Sequence, residues 1–181
     1  MNRHCGGILW LTGLSGAGKS TLARELERVL RARGWQAFVL DGDGLRTGLN
    51  ADLGFSPRDR AENIRRSGEV AGLFAQAGMI AICAFISPYR ADRDRVRAAH
   101  AAVFHEIHIS APLEVCEARD PKGLYRRARS GEIAQFTGVS APYEAPLAPE
   151  LEIPTGVWPL ERCVVQLARY TERRFSLAVA A

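Results

Sequence analysis

Eight residues near the N-terminus, Gly13 to Ser20, read GLSGAGKS and satisfy G-x-x-x-x-G-K-S/T. The stretch follows a short apolar run, Ile8 to Leu11. It opens an amphipathic segment from Lys19 to Arg33, with Leu22, Ala23, Leu26, Val29 and Leu30 at helical spacing and Gly34 as the stop. Strand, glycine-rich turn and helix, in that order, make a nest of backbone N–H groups at the positive end of a helix dipole. The pattern commits this part of the chain to an α/β unit that cradles a nucleotide phosphate. In it Lys19 is directed at the β- and γ-phosphates and the Ser20 hydroxyl at Mg2+.

The rest of the chain continues the alternation. Strands are expected over Ala37 to Leu40, Met79 to Ile86, about Phe104 to Ile109, and near Leu151. Helices are expected over Arg60 to Gln76, about Asp92 to Ala102, Pro112 to Arg119, and about Leu160 to Phe175. The unbroken apolar run Met79 to Ile86 suits a central parallel strand covered on both faces. The fold class is therefore α/β, a P-loop NTPase-type three-layer fold with a central parallel sheet, and residues 1–181 read as a single domain. From Asp120 to Pro149 the pattern breaks. A long irregular stretch in a compact domain is usually functional, so this one is read as a mobile lid.

Composition excludes several classes. Apolar residues are 47% and charged residues 24%, an ordinary balance for a soluble domain, and no apolar run approaches the roughly 20 residues of a membrane span. No signal-peptide core precedes the loop, so a cytoplasmic protein is expected, with a loose N-terminal end at His4 and Cys5. Cys5, Cys83, Cys116 and Cys163 are scattered without C-x-x-C spacing, which fits free thiols better than a disulfide framework or a zinc site. His105 and His108, three apart in a strand, point to opposite faces and do not share a metal. The net charge is +4, carried by 22 arginines and two lysines with no long basic run, which argues against nucleic acid, and a small anionic substrate explains the arginines as well. Lysine is a compact point charge and arginine a planar fork. The two retained lysines, Lys19 and Lys122, therefore stand out.

A phosphate cradle specifies a nucleotide and leaves the reaction open. There is no N-K-x-D motif of a GTPase switch. The second strand ends in Leu40-Asp41-Gly42-Asp43, and Asp41 falls at the carboxyl end of a parallel strand, where such folds place ligands. A carboxylate there holds Mg2+ or orients an attacking hydroxyl. Beyond it, Arg46, Arg58, Arg60, Arg65 and Arg66 surround one aromatic, Phe55. Arginine forks with an aromatic plate suit an anion that carries a purine.

The blocks GLSGAGKST, LDGD-x-LR-x-GLN-x-DLGFS, DR-x-EN-x-RR, FISPYRADRD, CE-x-RDPKGLY and FTG-x-S-x-PYEAP, in this order, resemble the adenylylsulfate kinases over roughly Gly7 to Pro154. The resemblance implies transfer of phosphate from ATP to the 3′-hydroxyl of adenylylsulfate. It implies that Gly13, Leu14, Ser15, Gly16, Ala17, Gly18, Lys19, Ser20 and Thr21 hold ATP, and that Asp43, Arg46, Arg60 and Asn63 hold the acceptor. Phe55 and Phe136 would sandwich its adenine, Ile86 and Ser87 would line its pocket, and Lys122 would lie near the transferring phosphate. Catalytic candidates are thus Lys19, Asp41 and Lys122, with Ser87 as a site of phosphorylation, and Ser20 and Asp41 are the Mg2+ ligands. Ser87 has no evident adjacent base, so direct transfer is favoured over a phosphoserine intermediate. Gly44 departs from the family, where a larger residue is expected. Implied partners are ATP, adenylylsulfate, a second copy of the chain in a homodimer, and an ATP sulfurylase, either associated or fused. Two other readings stand beside this one: a kinase for another small hydroxyl acceptor, and a regulatory nucleotide-binding partner of a sulfurylase.

Overall fold

A computed structural model of the chain describes residues 4–177. Five strands, β1 (Gly7–Thr12), β2 (Ala37–Asp41), β3 (Ile80–Ala84), β4 (Phe104–Ser110) and β5 (Leu151–Pro154), form one sheet in the order β2-β3-β1-β4-β5. Every pairing is parallel. Among the described residues the helices are α1 (Lys19–Ala32), α2 (Gly42–Arg46), α3 (Pro57–Gln76), α4 (Arg90–Ala99), α5 (Leu113–Arg119), α6 (Leu124–Arg129) and α7 (Leu160–Phe175). None of them is long and apolar enough to cross a membrane.

The central strand explains the layering. β1 is buried along its whole length, so its alternating side chains feed two cores. Leu9 and Leu11 join Leu22, Leu26 and Leu30 of α1 and Leu167 of α7 on one face. Ile8 and Trp10 join Ile64 of α3, Val96 of α4 and Phe104 on the other. After β3 the chain crosses to the far side of β1, so the crevice at the carboxyl end of β1 lies where the strand order reverses, the usual ligand position.

Several boundaries differ from those expected. α3 begins at Pro57, three residues early, because Ser56 caps it by accepting the Asp59 N–H at 3.1 Å and proline fits the first turn. β3 is shorter than Met79 to Ile86: Thr12 Oγ1 donates to Ile86 O at 2.7 Å, and Ser87 turns out of the ladder at φ 40°. α4 is shifted toward the N-terminus and stops at Ala99. The N-terminal end is also tied down, contrary to expectation. His4 stacks on Trp35 at 4.5 Å and its Nε2 accepts the Gln36 N–H at 2.9 Å, while the Cys5 N–H donates to Phe175 O at 2.9 Å. His105 bonds Tyr170 of α7, and His108 stacks on Tyr143.

The segment 120–149 contains α6 and has two distinct ends. Asp120 caps α6 by accepting the N–H groups of Tyr125 and Arg126 at 3.1 Å. At the rear, the Glu144 N–H donates to Pro88 O at 2.8 Å, and the Glu144 carboxylate accepts the Arg90 N–H at 2.8 Å. Residues 143–150 are thus laced to the body.

Candidate active site

The strand registers set the geometry. Asp41 lies level with Ala84, and Ala84 with Leu11, so Asp41 and the start of the glycine-rich loop sit at one height, two strand spacings or roughly 10 Å apart. Between and above them opens a cleft of about 1170 Å³.

The loop is built for close approach. A Cβ on Gly13 would fall 2.4 Å from Ile109 O, and one on Gly16, at φ +76°, 2.8 Å from Cys116 O. Only glycine lets the loop curl this tightly. Gly18, also left-handed, precedes α1, which has no side-chain cap and no acidic residue in its first turn. Its leading N–H groups are left for an anion. Lys19 is buried, and its Nζ donates to Gly13 O at 2.9 Å and Leu14 O at 2.7 Å. Burial strips water from the ammonium and brings its pKa down to about 8.

Asp41 caps α2 by accepting the Asp43 N–H on Oδ1 at 3.0 Å. Its Oδ2 is buried and has no hydrogen-bond partner. An orphaned carboxylate oxygen facing a phosphate cradle fits a hard divalent cation, which takes oxygen ligands. Ser20, at the head of α1, lines the same cleft.

The acceptor candidates converge on the opposite wall. The Arg46 guanidinium lies 4.4 Å from the Phe55 ring centroid and donates to Leu53 O and Gly54 O. Arg60 lies 5.8 Å from the same ring and donates to Phe55 O, Thr137 Oγ1 and Gln135 O, joining α3 to the lid. Burial lowers the pKa of both, and for Arg46 the neighbouring Arg60 adds to it. Asn63 accepts from Asn50 Nδ2 at 3.0 Å. Phe55 is 62% exposed, whereas Phe136 is buried with its ring edge-on to Tyr125 at 5.1 Å. Lys122, reaching from the lid, pairs with Asp43 across the cleft. A Cβ on Gly44 would meet no atom within 4 Å, so the missing side chain leaves open space.

Ser87 lines the cleft with Ile86, but its hydroxyl is already used: it accepts the Trp10 indole N–H at 3.1 Å and donates to Thr12 Oγ1 at 3.0 Å. Of the candidates, Gly13 and Leu14 lie off the cleft wall, as do Arg58, Arg65 and Arg66 of the arginine set around Phe55, and all the others line it. Arg65 and Arg66 instead pair with Glu62, and Arg66 with Asp52. Leu14 faces a second, shallower pocket with Leu113 and Tyr143. Sequence reasoning missed Thr155 and Arg119. Thr155 Oγ1 donates to Ala17 O at 2.7 Å, and Arg119 donates to Thr155 O at 2.6 Å, tying the end of β5 to the loop. Arg119 stands inside the quoted CE-x-RDPKGLY block, which was its available signal. Tyr125, whose hydroxyl donates to Ser15 O at 2.9 Å, is in the same block.

Comparison with known proteins points to one family. The family model for adenylylsulphate kinase matches residues 5–154. An adenylyl-sulfate kinase of Acaryochloris marina is 58% identical over 174 residues, 96% of this chain and 85% of that protein. The Mycobacterium tuberculosis APS kinase CysC, solved in complex with AMPPNP and APS, superposes with a TM-score of 0.89 at 44% identity, covering 95% of this chain and 99% of that one. A hexameric APS kinase from Thiobacillus denitrificans gives a TM-score of 0.72 at 37% identity, covering 94% of this chain and 29% of that longer one. With these matches over nearly its whole length, the chain belongs to the adenylylsulfate kinase family.

Proposed function

We propose that this protein transfers the γ-phosphate of ATP to the 3′-hydroxyl of adenylylsulfate, giving 3′-phosphoadenylylsulfate and ADP in sulfate activation. One observation carries the reading: a single cleft joins a phosphate cradle at Lys19 and Ser20, across Asp41, to the Arg46, Phe55, Arg60 and Asn63 wall. The similarity to a kinase solved with AMPPNP and APS supports it.

The residues divide the work by position. Gly13 to Thr21 hold the triphosphate, and Lys19 leaves the loop carbonyls to follow charge on the transferring group. Ser20 and Asp41 are the residues that would hold Mg2+, whose chemistry there is neutralisation of phosphate charge. Asp43, Arg46, Arg60 and Asn63 bind the acceptor, with Phe55 and Phe136 about its adenine. Swinging Arg46 off the Phe55 face frees that face for stacking. Lys122 leaves Asp43 when phosphate enters, and the front of the lid closes to exclude water. Phosphoryl transfer needs positioning more than covalent help, and the Ser87 hydroxyl is committed to Trp10 and Thr12, so transfer is direct.

We infer self-association, with a homodimer as the simplest assembly, since a hexameric relative exists. An ATP sulfurylase, which makes adenylylsulfate, is the expected neighbour in a cytoplasmic setting. The deciding experiment incubates the protein with ATP, Mg2+ and adenylylsulfate and identifies the product by mass spectrometry. ADP release with a sugar acid or nucleoside monophosphate, and none with adenylylsulfate, would overturn the assignment.

A further inference from the structure

Arg93 on α4 is 2% exposed, an arginine sunk into the body with no water-facing surface to speak of. Its three nitrogens go to three segments far apart in sequence. Nε donates to Glu106 Oε1 of β4 at 2.5 Å, Nη1 to Ser87 O at 2.6 Å, and Nη2 to Glu144 O at 2.7 Å. Glu106 is itself buried and is held from its other oxygen by Arg97, which also pairs with Glu150. Charge balance at Glu106 thus has a second source, whereas the bonds to the two carbonyls come from Arg93.

Those carbonyls are not ordinary positions. Ser87 sits at φ 40°, a left-handed conformation that a non-glycine residue keeps only when its surroundings hold it there. It follows Ile86 on the wall where the acceptor is placed. Glu144 belongs to the rear anchor of the lid, and its N–H already returns to Pro88 O. A planar guanidinium reaches a carboxylate and two carbonyls from three separate nitrogens in a fixed fork, whereas an ammonium carries its three donors on one nitrogen.

We propose that Arg93 is a positioning residue for the acceptor: from one guanidinium it fixes the Ile86–Ser87 wall of the pocket against the lid anchor at Glu144. The proposal rests on the reading of the cleft as a phosphoryl-transfer site whose acceptor lies against Ile86 and Ser87. β1 does touch Arg93's partners, through Trp10 and Thr12 at the Ser87 hydroxyl and Trp10 beside Glu106. No residue of the loop from Gly13 to Thr21, however, is hydrogen-bonded to Ser87, Glu106 or Glu144.

Arg93→Lys, which keeps the charge and loses the fork, tests it. Expected is a rise of about tenfold or more in KM for adenylylsulfate, with KM for ATP within about twofold and kcat changed less than the acceptor KM. An unchanged acceptor KM, or equal rises in both KM values, overturns the proposal, since a merely structural role lowers the active fraction and leaves both KM values alone. Should Arg93→Lys not accumulate as folded protein, the paired R93Q/E106Q exchange removes both buried charges and is read by the same split. Hydrogen exchange on the unaltered protein gives an independent reading. Amides of Ile86, Ser87 and Tyr89 and of 143–145 slow together when adenylylsulfate binds, and slowing of one set alone refutes the coupling. A wild-type protein that transfers no phosphate to adenylylsulfate refutes the proposed function instead.

Discussion

Lys19 gives a prediction whose size follows from its burial. Its pKa of about 8, against an ordinary 10.5, reflects an ammonium stripped of water and paired only with two carbonyls. Each factor of ten in proton affinity is about 1.4 kcal/mol, so the empty protein holds this charge at a differential cost of roughly 3 kcal/mol. That penalty on stability is full below about pH 8 and is relieved as pH rises toward 10.5. Phosphate oxygens in the loop supply the missing countercharge and move the pKa back up, so binding ATP takes up a proton whenever the free lysine is neutral. From a free pKa of about 8, affinity for ATP falls about tenfold between pH 7 and pH 9, and about half a proton is taken up per site at pH 8. Calorimetry of ATP binding in two buffers of different ionisation enthalpy measures the uptake, and kcat/KM for ATP reports the same free-enzyme pKa. Lys19→Ala abolishes the uptake and lowers kcat by about 10²-fold or more. A flat affinity to pH 9, or proton uptake that survives in Lys19→Ala, would show that burial of this ammonium does not govern the site.

Three substitutions test the other parts. Asp41→Asn keeps an oxygen for the Asp43 N–H and so keeps the fold, but loses about 10²-fold or more in kcat, and thermal melts with and without Mg2+ show less stabilisation by the ion than in the unaltered protein. Unaltered turnover would remove Asp41 from the chemistry. Ser87→Ala leaves the Trp10 N–H without its acceptor, at about 1–3 kcal/mol of stability, yet retains most of kcat; a chiral γ-phosphoryl group then shows inversion, whereas net retention with a dead Ser87→Ala would make Ser87 a nucleophile. Phe136→Ala weakens adenylylsulfate binding by about 1–3 kcal/mol in calorimetry, and an unchanged Kd would refute stacking on this ring.

What the sequence revealed was what local chemistry determines. The glycine-rich loop, α1 and the buried strands announce themselves through spacing and apolar runs, and Asp41 could be placed at a strand end because β2 ends in an acid. α2 gave no signal because it buries no residue and owes its start to the Asp41 cap. α6 buries only Tyr125 and Ala128, too few to show a period. Arg93 sits in RADRDRVR, which reads as a solvated helix face. Its burial depends on Glu106 and Glu144, distant in sequence, and no window over α4 contains them. The rear of the lid was assigned to a mobile segment for the same reason: its prolines and glycine show irregular backbone, but not the carbonyls that hold it.

The pairing of His4 with Ser176, beside the Cys5 bond to Phe175, brings the two ends of the described chain together at the start of β1. The strands are all parallel, so this meeting point lies at the amino edge of the sheet, a strand length of roughly 20 Å from the glycine-rich loop. A tether attached at His4 or Ser176 starts from the side facing away from the cleft. The same proximity suits circular permutation: a short linker can join the old ends, and new ones opened in the exposed turn at Gly34 lie near the same edge.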